Sequence, residues 1–143
     1  MSTLKVRGIR HDLDTTDAIS IASDGTVTFN NTINAKAGAG AVETASKTGT
    51  VTPNMSLYQN YVWTLTGNLL LGNPTTESVG QSGFFVFIQD GTGSRTLSLS
   101  SEYKTAGGAG ITLSTTAGAI DVVPYIVSAS GSILLGTPQL AFA

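Results

Sequence analysis

Alternating apolar and polar positions divide much of the chain into short strands separated by turn residues. Tyr61, Trp63 and Leu65 share one face of a strand, with Val62, Thr64 and Thr66 on the other. Residues 69–71 follow Gly67-Asn68, and Asn73-Pro74 ends that pattern. Phe84-Phe85-Val86-Phe87-Ile88 is apolar on both faces, which predicts a strand central in a sandwich or pressed against another subunit. Asp90-Gly91-Thr92-Gly93 predicts a turn into residues 95–100, whose alternation is clean. After a loop over 106–110 come a short strand at 111–113 and a longer one at 120–127. Pro124 has no N–H to give a ladder, so that strand is expected to be an edge or to bulge there. Ser130-Gly131-Ser132 turns into Ile133-Leu134-Leu135, and Leu140-Ala141-Phe142 predicts one more strand.

Ahead of residue 45 the pattern changes. Ala18-Ile19-Ser20-Ile21 and Thr26-Val27-Thr28-Phe29 alternate around Ser23-Asp24-Gly25, a strong hairpin signal. Residues 34–41, rich in Ala and Gly, have neither the strand nor the helix period and read as a connection. A short helix over 42–47 is the one helical alternative, and it lacks an apolar face. The expected organisation is an N-terminal arm with hairpin and Ala/Gly-rich linker over 1–45, then a β-sandwich domain over 46–143. The fold class is all-β: a β-sandwich or jelly-roll-like barrel with an extended N-terminal arm.

Composition sharpens this picture. Only 11% of the 143 residues are charged, less than half of the roughly 25% usual for a soluble domain. Seventeen glycines, with abundant Ser and Thr, fit many tight corners between strands. A net charge of −2 argues against a general nucleic-acid binder, which needs a basic stripe to displace counterions. No apolar stretch approaches the roughly 20 residues of a membrane-spanning helix, and the first residues lack the apolar core of a secretory signal. Without cysteine there is no disulfide or thiolate chemistry. Packing and association must supply the stability.

The charges that exist are crowded at one end. Lys5, Arg7, Arg10, Asp12, Asp14 and Asp17 mix both signs within a short span, which suits an arm that bridges subunits. His11 and the aspartates beside it are the only crowd of ligand-type groups, but the EF-hand spacing is absent, so a solvated or subunit-bridging turn is expected and no metal. His11 is the sole histidine, and no serine sits in a nucleophile elbow. Glu77, Asp90, Glu102 and Asp121 are dispersed along the chain, unlike a glycosidase pair in sequence. Gly91-Thr92-Gly93-Ser94 lacks the Lys and the helix of a phosphate loop. The reading is therefore no enzyme, no catalytic residue and no cofactor.

Asp90 is expected to close its own turn, with Arg95 paired to Asp90 or Asp121. Trp63 is expected in the core. Tyr58, Tyr61 and Tyr103 are candidates for contact with a neighbouring subunit, because aromatics are enriched at interfaces. Phe85 and Phe87 join them: a small sandwich hides one face of their strand, and hiding both is easier in an oligomer.

The order Leu65-Thr66-Gly67-Asn68, Asn73-Pro74-Thr75, Gly80-Gln81, then residues 89–96 (Gln-Asp-Gly-Thr-Gly-Ser-Arg-Thr) and 113–122 resembles a β-rich module of tailed-bacteriophage virion surface proteins. That module occurs in tail-fibre, head-fibre and capsid-decoration proteins, and the likeness covers roughly residues 62–136. Residues 21–29 are similar to lead-in hairpins of phage fibre proteins. The resemblance implies a structural protein on the virion, commonly a homotrimer. On that basis the expected function is a capsid decoration (cement) protein on the capsid surface, bridging subunits of the major capsid protein, with no nucleic acid or membrane partner. The alternative is a short tail-fibre or receptor-binding protein that uses the sandwich as its host-recognition tip.

Overall fold

The computed structural model describes residues 8–9, 19–30, 33 and 38–142. The chain divides into two compact units between Gly38 and Ala39, ahead of the position near residue 45 expected from the sequence.

The first unit contains an antiparallel sheet of β1 (Gly8–Ile9), β2 (Ile19–Ile21) and β3 (Val27–Phe29), in that order. The expected hairpin is β2–β3, with Ile19 opposite Phe29 and Ile21 opposite Val27. Its turn is closed by Asp24, whose Oδ1 accepts the Thr26 N–H at 2.9 Å. That bond holds the Asp24 carboxyl below the usual carboxylate range.

The second unit is all-β, a sheet curled into a half-barrel. Its strands are β4 (Val42–Val51), β5 (Asn60–Leu71), β6 (Ser82–Gln89), β7 (Leu97–Leu99), β8 (Tyr103–Lys104), β9 (Ile120–Ala129), β10 (Ser132–Leu135) and β11 (Gln139–Phe142). The order is β4-β5-β6-β9-β10-β8, with β7 beside the end of β5 and β11 beside the start of β9. β4, β5 and β6 run parallel, whereas β6, β9 and β10 are antiparallel neighbours.

Several elements differ from the sequence reading. Residues 42–47 belong to β4 and are not helical, because their alternation lets Glu43, Ala45 and Lys47 pair beside Tyr61, Trp63 and Leu65. Gly67-Asn68 does not end a strand. The ladder to β4 slips there, between Lys47 opposite Leu65 and Gly49 opposite Leu69. At this bulge β5 leaves β6 and takes β7. A Cβ on Gly67 would lie 2.3 Å from Thr48 Oγ1, so a larger residue there would have to turn the Thr48 side chain aside. Residues 111–113 carry no ladder, although Ile111 and Leu113 still alternate into the core.

Pro124 is not on an edge strand. β9 has β6 on one side and, on the other, β10 over its second half and β11 over its first. The Pro124 carbonyl accepts the Gly136 N–H at 2.9 Å. The proline nitrogen therefore faces the interval between β10 and β11, where no ladder donor is required.

The core lies on the concave face. Tyr61, Trp63 and Leu65 of β5, Phe85 and Phe87 of β6, and Val123, Tyr125 and Val127 of β9 are all buried. Rings pack on rings: Tyr61 stacks on Phe85 with centroids 4.9 Å apart, and Trp63 meets Tyr61 edge-on at 5.2 Å. Such pairs contribute about 0.5–1.5 kcal/mol each beyond their burial. Each buried phenol finds a backbone acceptor. Tyr61 donates to Tyr58 O, Tyr103 to Gly72 O and Tyr125 to Gln59 O, at 3.1, 3.1 and 2.7 Å.

Candidate interaction surface

Strand parity decides which side chains this sheet can offer to another molecule. Because alternate residues point to opposite faces, placing Trp63 and Phe87 in the core turns Val62, Thr64, Phe84, Val86 and Ile88 outward. The ladders then align whole rows on the convex face. One row runs Thr44, Val62, Val86 and Val122; the next runs Val42, Asn60, Phe84 and Pro124. Ser82, Ile126 and Leu134 continue it, as do Thr64, Ile88 and Ile120. Phe84 is 49% exposed and Val42, Ile126 and Leu134 nearly as much. Between Val42, Val62, Phe84, Val86 and Val122 the face dips into a shallow, mainly apolar groove of about 620 Å³.

A second, more polar groove of about 740 Å³ lies between residues 97–101 and 108–111, edged by Ser98, Ser100, Lys104 and Thr105. The Lys104 ammonium donates to the Ser101 carbonyl at its rim.

The candidates read from sequence divide into three groups. Lys5, Arg7, Arg10, Asp12, Asp14 and Asp17 lie outside the described residues. Tyr61, Phe85, Phe87 and Tyr103 are corrected: they are enclosed in the chain's own core and present no surface to a neighbour. Burial also pushes the Tyr61 and Tyr103 phenols well above their ordinary range, with nearby Tyr125 and Glu43, or Tyr61 and Glu102, adding to it. Tyr58 is half-buried and meets Tyr61 edge-on at 6.5 Å.

The outward residues Phe84, Val86 and Val122 were missed. The signal was present, since residues 84–88 are apolar on both faces; only the choice of which phenylalanines point outward was wrong. Trp63 stands in the core as expected. Its indole N–H donates to Glu43 Oε2 at 2.9 Å, while Lys47 pairs with Glu43 Oε1 at 2.9 Å and lies over the ring at 5.4 Å.

Most charged groups of the described body are engaged in structure. Asp90 closes its turn by accepting from Thr92 N and Gly93 N, both at 3.0 Å, and takes Arg95 in a bidentate pair at 2.8–3.2 Å. Arg95 chooses Asp90, not Asp121. The guanidinium and the two backbone N–H groups hold the Asp90 carboxyl below its usual range, and Asp90 in turn raises Arg95. Buried Gln89 braces the same turn, accepting from Arg95 N at 2.8 Å and donating to Arg95 O at 2.9 Å. Glu77 accepts from Gly131 N at 3.3 Å, whereas Glu102 keeps its buried Oε2 without a hydrogen-bond partner. Among the described residues, no three His, Cys, Asp or Glu side chains converge as a metal site, and no helix is long and apolar enough to cross a membrane.

The architecture can now be set beside known families. Residues 51–132, which run from the end of β4 to the start of β10, match the family described as "Putative phage tail fibre C-terminal domain". The chain belongs to that family. No curated protein and no solved structure matches it. The family segment contains the bulge in β5, the doubly apolar strand β6 and the braced Asp90 turn, so the tail-fibre domain takes in the central strands of the curled sheet. This is a structural protein module of the phage virion.

Proposed function

We propose that the chain acts by binding alone, as the distal module of a short phage tail fibre or receptor-binding protein, assembled as a homotrimer. The observation that carries this reading is the family match, which spans the curled sheet from β4 to β10. The chemistry of the body agrees with it. Asp90, Asp121 and Glu77 accept backbone N–H groups and Glu43 holds Trp63 and Lys47, while the outward rows of the sheet leave an apolar face exposed. Adhesion through many weak contacts, multiplied across a trimer and across the fibres of one particle, gives avidity without any catalytic step.

Capsid decoration, with the major capsid protein as partner, is the competing assignment, and copy number separates the two. Quantitative mass spectrometry of purified virions is expected to give this chain an abundance comparable to other tail proteins. An abundance comparable to the major shell protein would replace the fibre reading with decoration. Immunogold labelling of intact particles places the chain at the tail or over the shell. Purified protein is also expected to compete with virions for adsorption to host cells, an effect that a shell-bound decoration protein does not produce.

A further inference from the structure

We infer that copies of this chain join through the convex face of β5, β6 and β9, centred on Phe84, Val86 and Val122. This deepens the proposed function by naming the surface that makes the assembly, and it rests on that reading only for the assembly's setting.

The inference starts from β6. A strand apolar on both sides is a strand buried on both sides, since a half-solvated strand alternates with polar residues. The chain's core covers Phe85 and Phe87 and leaves Phe84 half exposed. Cross-strand neighbours extend the same chemistry: Phe84 faces Pro124, Val86 faces both Val62 and Val122, and Ile88 faces Ile120. The rows from β4 to β10 carry no charged side chain, because Glu43, Lys47 and Asp121 all point to the other side.

Size and charge then select the occupant. The fourteen residues of these rows, on strands about 4.8 Å apart with rows about 6.6 Å apart, cover roughly 450 Å² before the corrugation of the side chains is added. That is more than half of the roughly 800 Å² per partner of a stable protein interface, and it lies among the largest patches left open on monomers. A partner chosen by ionic complementarity finds on these rows only Lys104, opposite Leu134 at the β8 edge, and that ammonium already donates to the Ser101 carbonyl. The same face of other copies, turned inward around a common axis, meets every requirement, since each copy brings the same apolar rows to the contact. Charge depletion at the centre is also the compositional mark of an interface core.

The test uses the full chain in solution. Light scattering is expected to find a multiple of the chain mass for the native protein. Phe84→Asp places a charge at the centre of the contact and is expected to weaken association at least about 100-fold. Emission from Trp63, the chain's single tryptophan, should stay unchanged if the core is intact. Where Phe84→Asp fails to fold, a conservative variant decides. The chain has no cysteine, so Phe84→Cys provides one thiol, compared with Thr112→Cys on an exposed position outside the sheet.

Modification of Phe84→Cys by a thiol reagent is expected to be at least about tenfold slower than that of Thr112→Cys in the assembled state, and to recover on dilution. A native chain that stays monomeric at high concentration overturns the inference, as do equal labelling rates in an assembled protein. Neither result touches the assignment to the tail. Absence of the chain from purified virions would remove that assignment and leave the face unaffected.

Discussion

Asp121 holds Ser114 twice: its Oδ2 accepts the Ser114 N–H and its Oδ1 the Ser114 hydroxyl, both at 2.7 Å. A third donor, the Ala141 N–H, reaches Oδ1 at 2.9 Å. Only 1% exposed and, among the described residues, without a cation beside it, this carboxylate is held by these donors. It fastens the extended segment 111–115 and the start of β9 to the last strand. That is why Ile111 and Leu113 pack in the core without a ladder of their own.

Asp121→Ala should therefore unfold more easily than its size suggests. Removing the acceptor leaves two backbone N–H groups without a partner, a loss of about 2–4 kcal/mol. Urea denaturation followed by Trp63 emission measures it. Asp121→Asn keeps one acceptor oxygen and should fall between the two. Equal stability of Asp121→Ala and the native chain would contradict the role assigned to these bonds.

Glu43→Ala tests a contact that crosses from the outermost strand into the core. It removes the acceptor of the Trp63 indole and the partner of Lys47 together. A loss of about 1–2 kcal/mol is expected, with a shift in Trp63 emission in the folded state. An unshifted emission spectrum would show that the indole N–H does not depend on Glu43.

Gly83→Ala probes the closest backbone approach in the body. A Cβ there would lie 2.1 Å from the Gln59 carbonyl oxygen, the acceptor of the Tyr125 hydroxyl, and 3.1 Å from the Tyr125 ring. The backbone must move, at a cost of about 1–3 kcal/mol. A lowered urea midpoint checks this, and an unchanged midpoint would refute it.

Acid should weaken the Asp90 turn. The folded-state carboxyl is depressed, so its stabilisation is present above the unfolded carboxylate range, near pH 3.9, and is lost as pH falls through the lower folded value. Asp90→Asn should flatten the acid limb of the stability curve. Asp90→Ala should destabilise more than Asp90→Asn, because the Asn oxygen still accepts from Thr92 and Gly93 and alanine does not.

Alkali acts on the buried phenols with the opposite sign. Burial pushes Tyr125 up to about 12, and Tyr61 and Tyr103 are raised as well. The unfolded chain ionises near pH 10, so stability should decline as pH rises from there toward 12. Absorbance at the phenolate band should show these three groups titrating only as Trp63 emission reports unfolding. Titration of all four tyrosines near pH 10 in a folded protein would contradict the packing.

Period and turn chemistry are local properties, and they were legible in the chain. The all-β class, the hairpin at Asp24-Gly25, the self-closing turn at Asp90 and the core position of Trp63 all follow from neighbours within a few residues. Parity relative to a core is not local. Nothing near Phe84 and Phe85 tells which one faces inward, because that depends on Tyr61, Tyr125 and Tyr103, which arrive from other strands. The same limit explains Pro124, whose missing N–H is harmless only because β10 and β11 part opposite it. Sequence alone therefore determined that this protein is a pleated, charge-poor body made to pack. Tertiary structure decided which face it keeps for itself and which it offers, since burial is settled by contacts between residues far apart in the chain.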